Sequence, residues 1–465
     1  MNIKQFKDVY KAVDSVTILL TNDCNLHCDY CFETNKGKDY IMKETAEEIL
    51  RSTYRKLDSN QYGENKFTVN MFGGEPMLAW PVIKHLCDVA NKEHMIVSFG
   101  ITTNMTIMTD EMLDYIDDND IFMLTSVDGN KFAHDAHRCG SYDVVIKNIK
   151  KLIDRGLSHL IEIRMTVTPE TAKYMKDSIK MFIDMGINNI CPVAATDVEW
   201  SDEAIEELRK AYTDTLNMYV DILNDDSNKR NISIRKVDEA LNSVLSPNGD
   251  YNKMCNIAST RWVVVDWNGD VWPCPDFPTT DNKELQKLKI GNFFTGVDVD
   301  KIRTEPMKAK FNMEKCKNCP AKFSCKSGCP YQNFYNQGSF FTPTDAYCKL
   351  EVMYYEEIQK FRDKLLESTN IRSRELNVLI ENLKVKDYFD NVLKESNPYD
   401  KAFLFKLNHF TDMVKNIEIN GNLLPSFRDY FNEDISKIFA IITAVAGVEI
   451  KQKTEERNEA NADKR

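Results

Sequence analysis

No stretch of the 465-residue chain approaches the ~20 consecutive apolar residues that a membrane span requires, and the N-terminus lacks a signal-peptide pattern. A cytoplasmic protein with no membrane partner is expected. Basic charge is in deficit, 60 Lys and Arg against 72 Asp and Glu for a net charge of −12, which argues against a nucleic-acid partner. Internal repeats and low-complexity linkers are absent too. What is present is an ordinary globular composition, 42% apolar and 28% charged. The length exceeds what one hydrophobic core usually serves, so two or three domains are expected. Cysteine is not scarce. Thirteen cysteines in a cytosolic chain point away from disulfides, and their clustering points to metal or cluster ligation.

The first cluster of cysteines is Cys24-Asn25-Leu26-His27-Cys28-Asp29-Tyr30-Cys31, directly after the apolar run Val16 to Leu20. Three thiolates at spacings of four and three suit three irons of a cubane [4Fe–4S] cluster and leave the fourth iron without a protein ligand. Such an iron suits a cluster that must bind something. A zinc site is the rival reading. The run resembles the cluster motif of the radical S-adenosylmethionine (SAM) enzymes, with an aromatic just before the third cysteine. That resemblance implies that SAM chelates the open iron. It also implies that one electron cleaves the sulfonium to methionine and a 5′-deoxyadenosyl radical.

Between about residues 12 and 225, short apolar runs alternate with amphipathic stretches. Strands are expected at Ser15–Thr21, Lys66–Phe72, Met95–Asn104, Ile121–Ser126, Leu160–Thr168 and Asn188–Ala194. Helices are expected at Lys43–Asp58, Trp80–Asn91, Asp110–Asp117, Tyr142–Asp154 and Thr171–Met185. This alternation requires a parallel sheet, and six units suggest a partial (β/α)6 barrel with its chemistry at the C-terminal strand ends. The family resemblance implies the same α/β fold.

Several motifs fall at those ends. Gly73-Gly74-Glu75-Pro76 closes the second strand and resembles the family's GGEP motif, with glycines for close approach of SAM and a carboxylate or carbonyl for its ammonium group. Thr103-Asn104 ends the third strand and is expected to bind the cofactor, and Ser126, at the end of the fourth, suits the ribose. Arg164 suits a fork onto the SAM carboxylate. Tyr30 is expected near the adenine. The run Asp128-Gly129 to Arg138 resembles a loop of the peptide-modifying branch, which offers His134 and Arg138 as catalytic candidates; solvated loop polarity is the plain alternative. Cys87, Cys139 and Cys191 match no ligand spacing and read as buried small apolar residues.

Cysteines return between about residues 250 and 368, after a bridging region at 226–249. Cys255 and Cys274 flank the alternating run Trp262 to Trp272, whose Asn268-Gly269 signals a two-residue hairpin. Cys316, Cys319, Cys325, Cys329 and Cys348 follow. A four-cysteine zinc knuckle is the rival. The order resembles the SPASM domain, which implies two auxiliary [4Fe–4S] clusters and three in all. Carried over, Cys316, Cys319, Cys325 and Cys348 close an outer cluster, and Cys255, Cys274 and Cys329 hold an inner one. Sulfatase-maturing relatives place a further cysteine between the first two positions and an Asp directly after the second. Here no cysteine intervenes, which suggests an open iron for a substrate thiolate. Pro275 precedes Asp276, which makes Asp276 an uncertain general base.

Only about a dozen residues precede the first strand, too few for a domain that captures a peptide leader. Past Cys348, helices are expected at Leu350–Leu366, Ser373–Leu393, Asp400–Ile417 and Pro425–Val445, an extension over 369–451, with a charged, disordered tail at 452–465. The leading expectation is a maturase of a ribosomally made precursor peptide that forms an intramolecular crosslink, thioether or carbon–carbon, with a low-potential electron donor such as flavodoxin or ferredoxin. A formylglycine-forming anaerobic sulfatase maturase is the alternative. A non-catalytic iron–sulfur peptide-binding protein is a third reading.

Overall fold

The computed structural model describes residues 3–10, 13–54, 67–225, 227–228, 230–245, 261–298, 301, 314–322 and 324–367. Cys255, the expected helices beyond residue 367 and the expected tail lie outside the described residues. Among the described residues no helix is long and apolar enough to cross a membrane.

The strands are β1 (Ile3–Lys4), β2 (Ser15–Thr21), β3 (Phe67–Gly73), β4 (Val97–Thr103), β5 (Phe122–Ser126) and β6 (Ile161–Val167). They continue with β7 (Asn189–Ala194), β8 (Ser233–Ile234), β9 (Trp262–Val265), β10 (Asp270–Trp272), β11 (Gly291–Asn292) and β12 (Gly296–Asp298). All join one sheet in the order β1-β12-β11-β10-β9-β2-β3-β4-β5-β6-β7-β8. From β9 through β2 to β8 every pairing is parallel, and from β9 back to β1 every pairing is antiparallel. The parallel part demands crossovers, and helices such as Lys43–Thr53, Trp80–Lys92 and Asp110–Asp118 supply them. The outcome is the expected partial barrel.

Side-chain alternation makes the two faces. On β3, Phe67, Val69 and Met71 are buried under the helices, while Asn70 and Phe72 are half-buried on the inner face. The helix Tyr142–Asp154 buries Val145, Ile149 and Leu152 on one stripe, each worth about 1.5–3 kcal/mol. The expected helix Thr171–Met185 divides into a 3-10 turn, Ala172–Tyr174, and the helix Met175–Asp184. Two helices between residues 12 and 225 were not among those expected. Lys131–His137 begins where the Asn130 side chain accepts from Ala133 N at 3.1 Å, inside the stretch read as a loop. Asp202–Asn224 begins with a Ser201 cap.

The hairpin between Trp262 and Trp272 forms with a longer turn than Asn-Gly alone implies. Residues 266–269 lie between the strands, and the Asp266 carboxylate accepts from Asn268 N, Asp270 N and Trp272 Nε1 at 2.8–3.0 Å. Gly269, at φ +77°, closes the turn. Strand β9 then lies beside β2, with Ser15 opposite Trp262 and Ile18 opposite Val265. Main-chain hydrogen bonds therefore cross the expected boundary between barrel and cysteine-rich region. Leu19 of β2 shares one apolar core with Val264, Trp272, Phe277, Leu285 and Tyr331.

Candidate active site

Strand β2 delivers its C-terminal end into a loop that returns to it, where Tyr40 bridges Thr21. The loop's base is fixed by Asn22 Nδ2 to Asp39 at 2.8 Å and by Asp39 N to Asn22 Oδ1 at 2.8 Å. Cys24, Cys28 and Cys31 stand on this loop, all half-buried. Polar donors converge on them. Asn104 Nδ2 is 3.9 Å from Cys24 Sγ, Arg138 Nη1 is 3.9 Å from Cys28 Sγ, and Leu26 N is 3.5 Å from Cys24 Sγ. Burial pushes the Cys24 thiol up to about 11, so a free thiolate there is disfavoured until a cation or metal arrives.

The far side of the loop is sewn to the segment after Cys274. Thr34 Oγ1 donates to Thr279 O at 3.1 Å and Asn35 N donates to the same carbonyl at 3.0 Å. Asn35 Nδ2 donates to Thr280 O at 3.1 Å and Asp281 N to Thr34 Oγ1 at 3.1 Å. In the cysteine-rich region, Cys316, Cys319, Cys325 and Cys348 lie within electrostatic reach of one another: Cys319 acts on Cys316, Cys316 on Cys348, and Cys348 on Cys325. Cys274 and Cys329 pack against the core that holds Trp272 and Tyr331. Among the described residues no three His, Cys, Asp or Glu side chains converge on a single ion-sized centre. Thiols that each take a different iron of a cubane do not share one centre, so the donor sets fit clusters.

A cleft of about 540 Å³ opens between the two regions. Tyr30, Cys31 and Phe32 line one wall, His137 and Thr168–Glu170 another, and Tyr331 and Tyr335 of the helix Pro330–Gln337 a third.

A family model for the radical SAM superfamily matches residues 18–182, and one for the SPASM iron–sulfur cluster-binding domain matches residues 255–326. The chain is a radical SAM enzyme with a SPASM domain. It is 26% identical over 332 residues to a cysteine-type anaerobic sulfatase-maturating enzyme of Clostridium perfringens, spanning 66% of this chain and 86% of that one. Its fold is similar to native anSMEcpe with bound AdoMet and Cp18Cys peptide, with a TM-score of 0.58 at 20% identity over 76% of this chain and 99% of the other. It is also similar to Streptococcus suis SuiB bound to precursor peptide SuiA, with a TM-score of 0.51 at 16% identity over 73% and 77%. SAM and iron–sulfur clusters are thereby its cofactors.

Within this radical SAM enzyme the expected SAM-facing residues divide into two groups. Gly73 and Gly74 give close approach, but to the cluster loop: an added Cβ would stand 2.2 Å from Thr21 O at Gly73 and 2.2 Å from Asp23 O at Gly74. Glu75 is fully buried and accepts from Met77 N, Thr103 Oγ1 and Asn104 N at 2.7–3.0 Å; its carboxyl is pushed up to about 7 by burial. Pro76 starts the 3-10 turn that Glu75 caps. Thr103 and Asn104, expected to face the cofactor, instead spend their side chains on Glu75, Met105, Asn25 and Thr106. This group builds the loop's floor. The second group faces the barrel interior. Ser126, Arg164 and Cys191 are register partners across β5, β6 and β7, and Arg164 Nη1 donates to Cys191 Sγ at 3.3 Å. Among the described residues the Ser126 hydroxyl makes no hydrogen bond, so it is available to a ligand.

Two catalytic candidates are corrected by their surroundings. His134 is fully buried: its Nδ1 accepts from Asp128 N at 3.4 Å, and Nε2 meets Ser141 Oγ at 2.9 Å. Burial lowers its pKa to about 4, and the neutral ring ties a helix to a strand end rather than facing the cleft. Arg138 is 7% exposed, paired through Nε with Asp128 at 2.8 Å and stacked over Tyr30, whose hydroxyl also bonds Asp128. Its Nη1 lies 3.9 Å from Cys28 Sγ, so the guanidinium braces the cluster loop. Asp276 is half-buried, accepts from the Cys274 thiol and is raised to about 6 by burial; it faces Glu33 and Tyr331. Cys139, read as a buried apolar residue, is exposed at φ +56° and accepts from His27 N at 3.4 Å.

Two loop residues were missed. Glu33 is 6% exposed, is raised to about 7 by burial, and has an Oε2 atom without a hydrogen-bond partner among the described residues. Lys36 donates to Leu26 O at 2.9 Å; burial opposes its charge, yet negative charge on Cys31, Cys24, Cys28 and Glu33 holds its pKa above the ordinary lysine value. Their one signal was position, since both charges lie within five residues of Cys31 on a segment with no helical or strand period.

Proposed function

We propose that this enzyme is a peptide maturase that installs a crosslink in a ribosomally made precursor, with a thioether as the favoured product. The observation that carries this reading is the cleft, which reaches from Cys31 of the cluster loop to Tyr331 and Tyr335 beside the SPASM cysteines. A cleft of this size has room for a few residues of a peptide, and its lining joins the cluster loop to the cysteine-rich region. Cys24, Cys28 and Cys31 hold the SAM-binding cluster. Cys316, Cys319, Cys325 and Cys348 hold the outer auxiliary cluster, and Cys274 and Cys329, with Cys255, hold the inner one. When bound, SAM and its cluster would supply a 5′-deoxyadenosyl radical able to take one hydrogen atom from the peptide, and the auxiliary clusters would supply an acceptor for the one electron released on bond formation.

The protein supplies the remainder. Tyr30 and Ser126 flank the SAM site, Arg164 presents a cation to its carboxylate, and the Glu75 brace keeps the loop rigid. Asp276 takes the proton that leaves the peptide nucleophile. The similarity to peptide-bound anSMEcpe and SuiB supports a peptide as substrate. The electron donor is a low-potential protein such as flavodoxin or ferredoxin.

A second reading, formylglycine formation in a sulfatase, is favoured by the 26% identity to the Clostridium perfringens enzyme. Anaerobic reconstitution with SAM and dithionite separates the two readings. Iron near ~12 per chain is expected for three cubanes. A neighbouring cysteine-rich peptide that loses two hydrogens per crosslink supports the maturase. Conversion of a sulfatase-derived cysteine peptide to an aldehyde, with precursor peptides unchanged, overturns it.

A further inference from the structure

Lys36 is a half-buried ammonium held inside the loop that carries the first three cysteines. Its Nζ donates to Leu26 O at 2.9 Å, between Cys24 and Cys28 in the chain. Among the described residues that is its single hydrogen bond, and no carboxylate lies within the 4.0 Å of an ion pair. The backbone fixes its origin: Gly37 N donates to Asn22 O at 3.1 Å, and an added Cβ on Gly37 would stand 2.7 Å from the Asn22 side chain. The groups that act on the ammonium electrostatically are the three cysteines of the loop and the buried Glu33, whose carboxylate is beyond ion-pair distance. Arg138, the cation beside Cys28, is already neutralised by Asp128 at 2.8 Å. A half-buried ammonium with no carboxylate at ion-pair distance carries a desolvation cost, and an anion beside it would offset that cost.

We propose that Lys36 is the fixed counter-charge of the iron–sulfur cluster on Cys24, Cys28 and Cys31, and that it eases the cluster's one-electron reduction. The inference rests on the ligand assignment under Proposed function. Reduction adds one negative charge to the cluster; the electron comes from a one-electron donor of low potential, and no bond is made or broken in that step. A nearby fixed cation stabilises the reduced form more than the oxidised form, and roughly tenfold in their ratio is the scale expected at a protein-like dielectric. Lys36 is thus a positioning and tuning residue rather than one that touches the reacting carbon.

The test is an anaerobic redox titration of reconstituted holoenzyme, followed through the component of the reduced-cluster EPR signal that SAM perturbs. Lys36→Met and Lys36→Gln are expected to keep wild-type iron content and to lower the reduced-to-oxidised ratio at a fixed potential about tenfold, which is about 59 mV for a one-electron couple. Lys36→Arg restores the ratio to within about threefold of wild type, whereas a packing role would leave the midpoint unmoved in all three. An unshifted midpoint in the iron-replete Met and Gln variants overturns the inference. Loss of the cluster in both variants also overturns it and assigns Lys36 to assembly. A wild-type enzyme without a SAM-perturbed signal sinks the ligand assignment itself, a separate failure.

Discussion

The two cysteine regions handle charge in opposite ways. At the first loop Arg138 is 7% exposed and lies beside Cys28, and Lys36 is half-buried with no carboxylate at ion-pair distance among the described residues. At the second, Lys315 acts on Cys316 and Cys348, but Asp345 answers it at 3.3 Å from an almost fully exposed position. Positive charge near the first cysteines is therefore the less exposed of the two, buried and paired at Arg138 and half-buried without a carboxylate at ion-pair distance at Lys36, while near the second it is paired and exposed. A centre that must bind a ligand and accept an electron gains from the first arrangement. A centre whose iron sites are filled by protein needs only the second.

Breaking either region separates the two roles, and the largest effect belongs to the first. Cys28→Ala is expected to abolish 5′-deoxyadenosine formation and to remove about four irons per chain, whereas Cys348→Ala removes a similar amount of iron and leaves SAM cleavage without peptide product. Iron assay and chromatography of the nucleoside decide the matter, and equal loss of SAM cleavage in both variants would erase the contrast. Next comes the buried brace. Arg138→Met leaves Asp128 uncompensated and should cost about 3 kcal/mol in anaerobic denaturant unfolding, with Arg138→Lys restoring little because the planar fork is lost.

Asp276→Asn is expected to reduce peptide modification about a hundredfold while 5′-deoxyadenosine still accumulates. Parallel loss of both products would remove Asp276 from proton transfer. The smallest effect is a pH dependence. His134 is held neutral, with a folded pKa near 4 against 6.5 in the unfolded chain, so the unfolded state binds the extra proton first. Stability is then full above about pH 6.5 and falls as pH drops toward 4, by about 2 kcal/mol between pH 7 and 5. His134→Gln should flatten that slope in a comparison of unfolding at the two pH values.

Much of this was legible because period and spacing are local. Ser15–Thr21 and Tyr142–Asp154 were readable to the residue, since an apolar run and a repeated i, i+4 stripe need no partner to be recognised. The cysteine spacings were equally direct. The Asp128–Arg138 stretch misled because its polar residues look solvated, while Asn130 caps a helix there that turns His134 and Arg138 inward. The GGEP segment was found for the right place, but its glycines meet Thr21 and Asp23 rather than open ground.

The sequence by itself determined the alternation of strands and helices, the order of the cysteines and the family, because each depends on residues close together in the chain. Only the tertiary structure decided that β9 joins β2, that Cys191 lies opposite Arg164, and that Lys36 has no carboxylate at ion-pair distance among the described residues. Those facts depend on burial and on pairs far apart in the chain, and a charge declares its cost only once the water around it is gone.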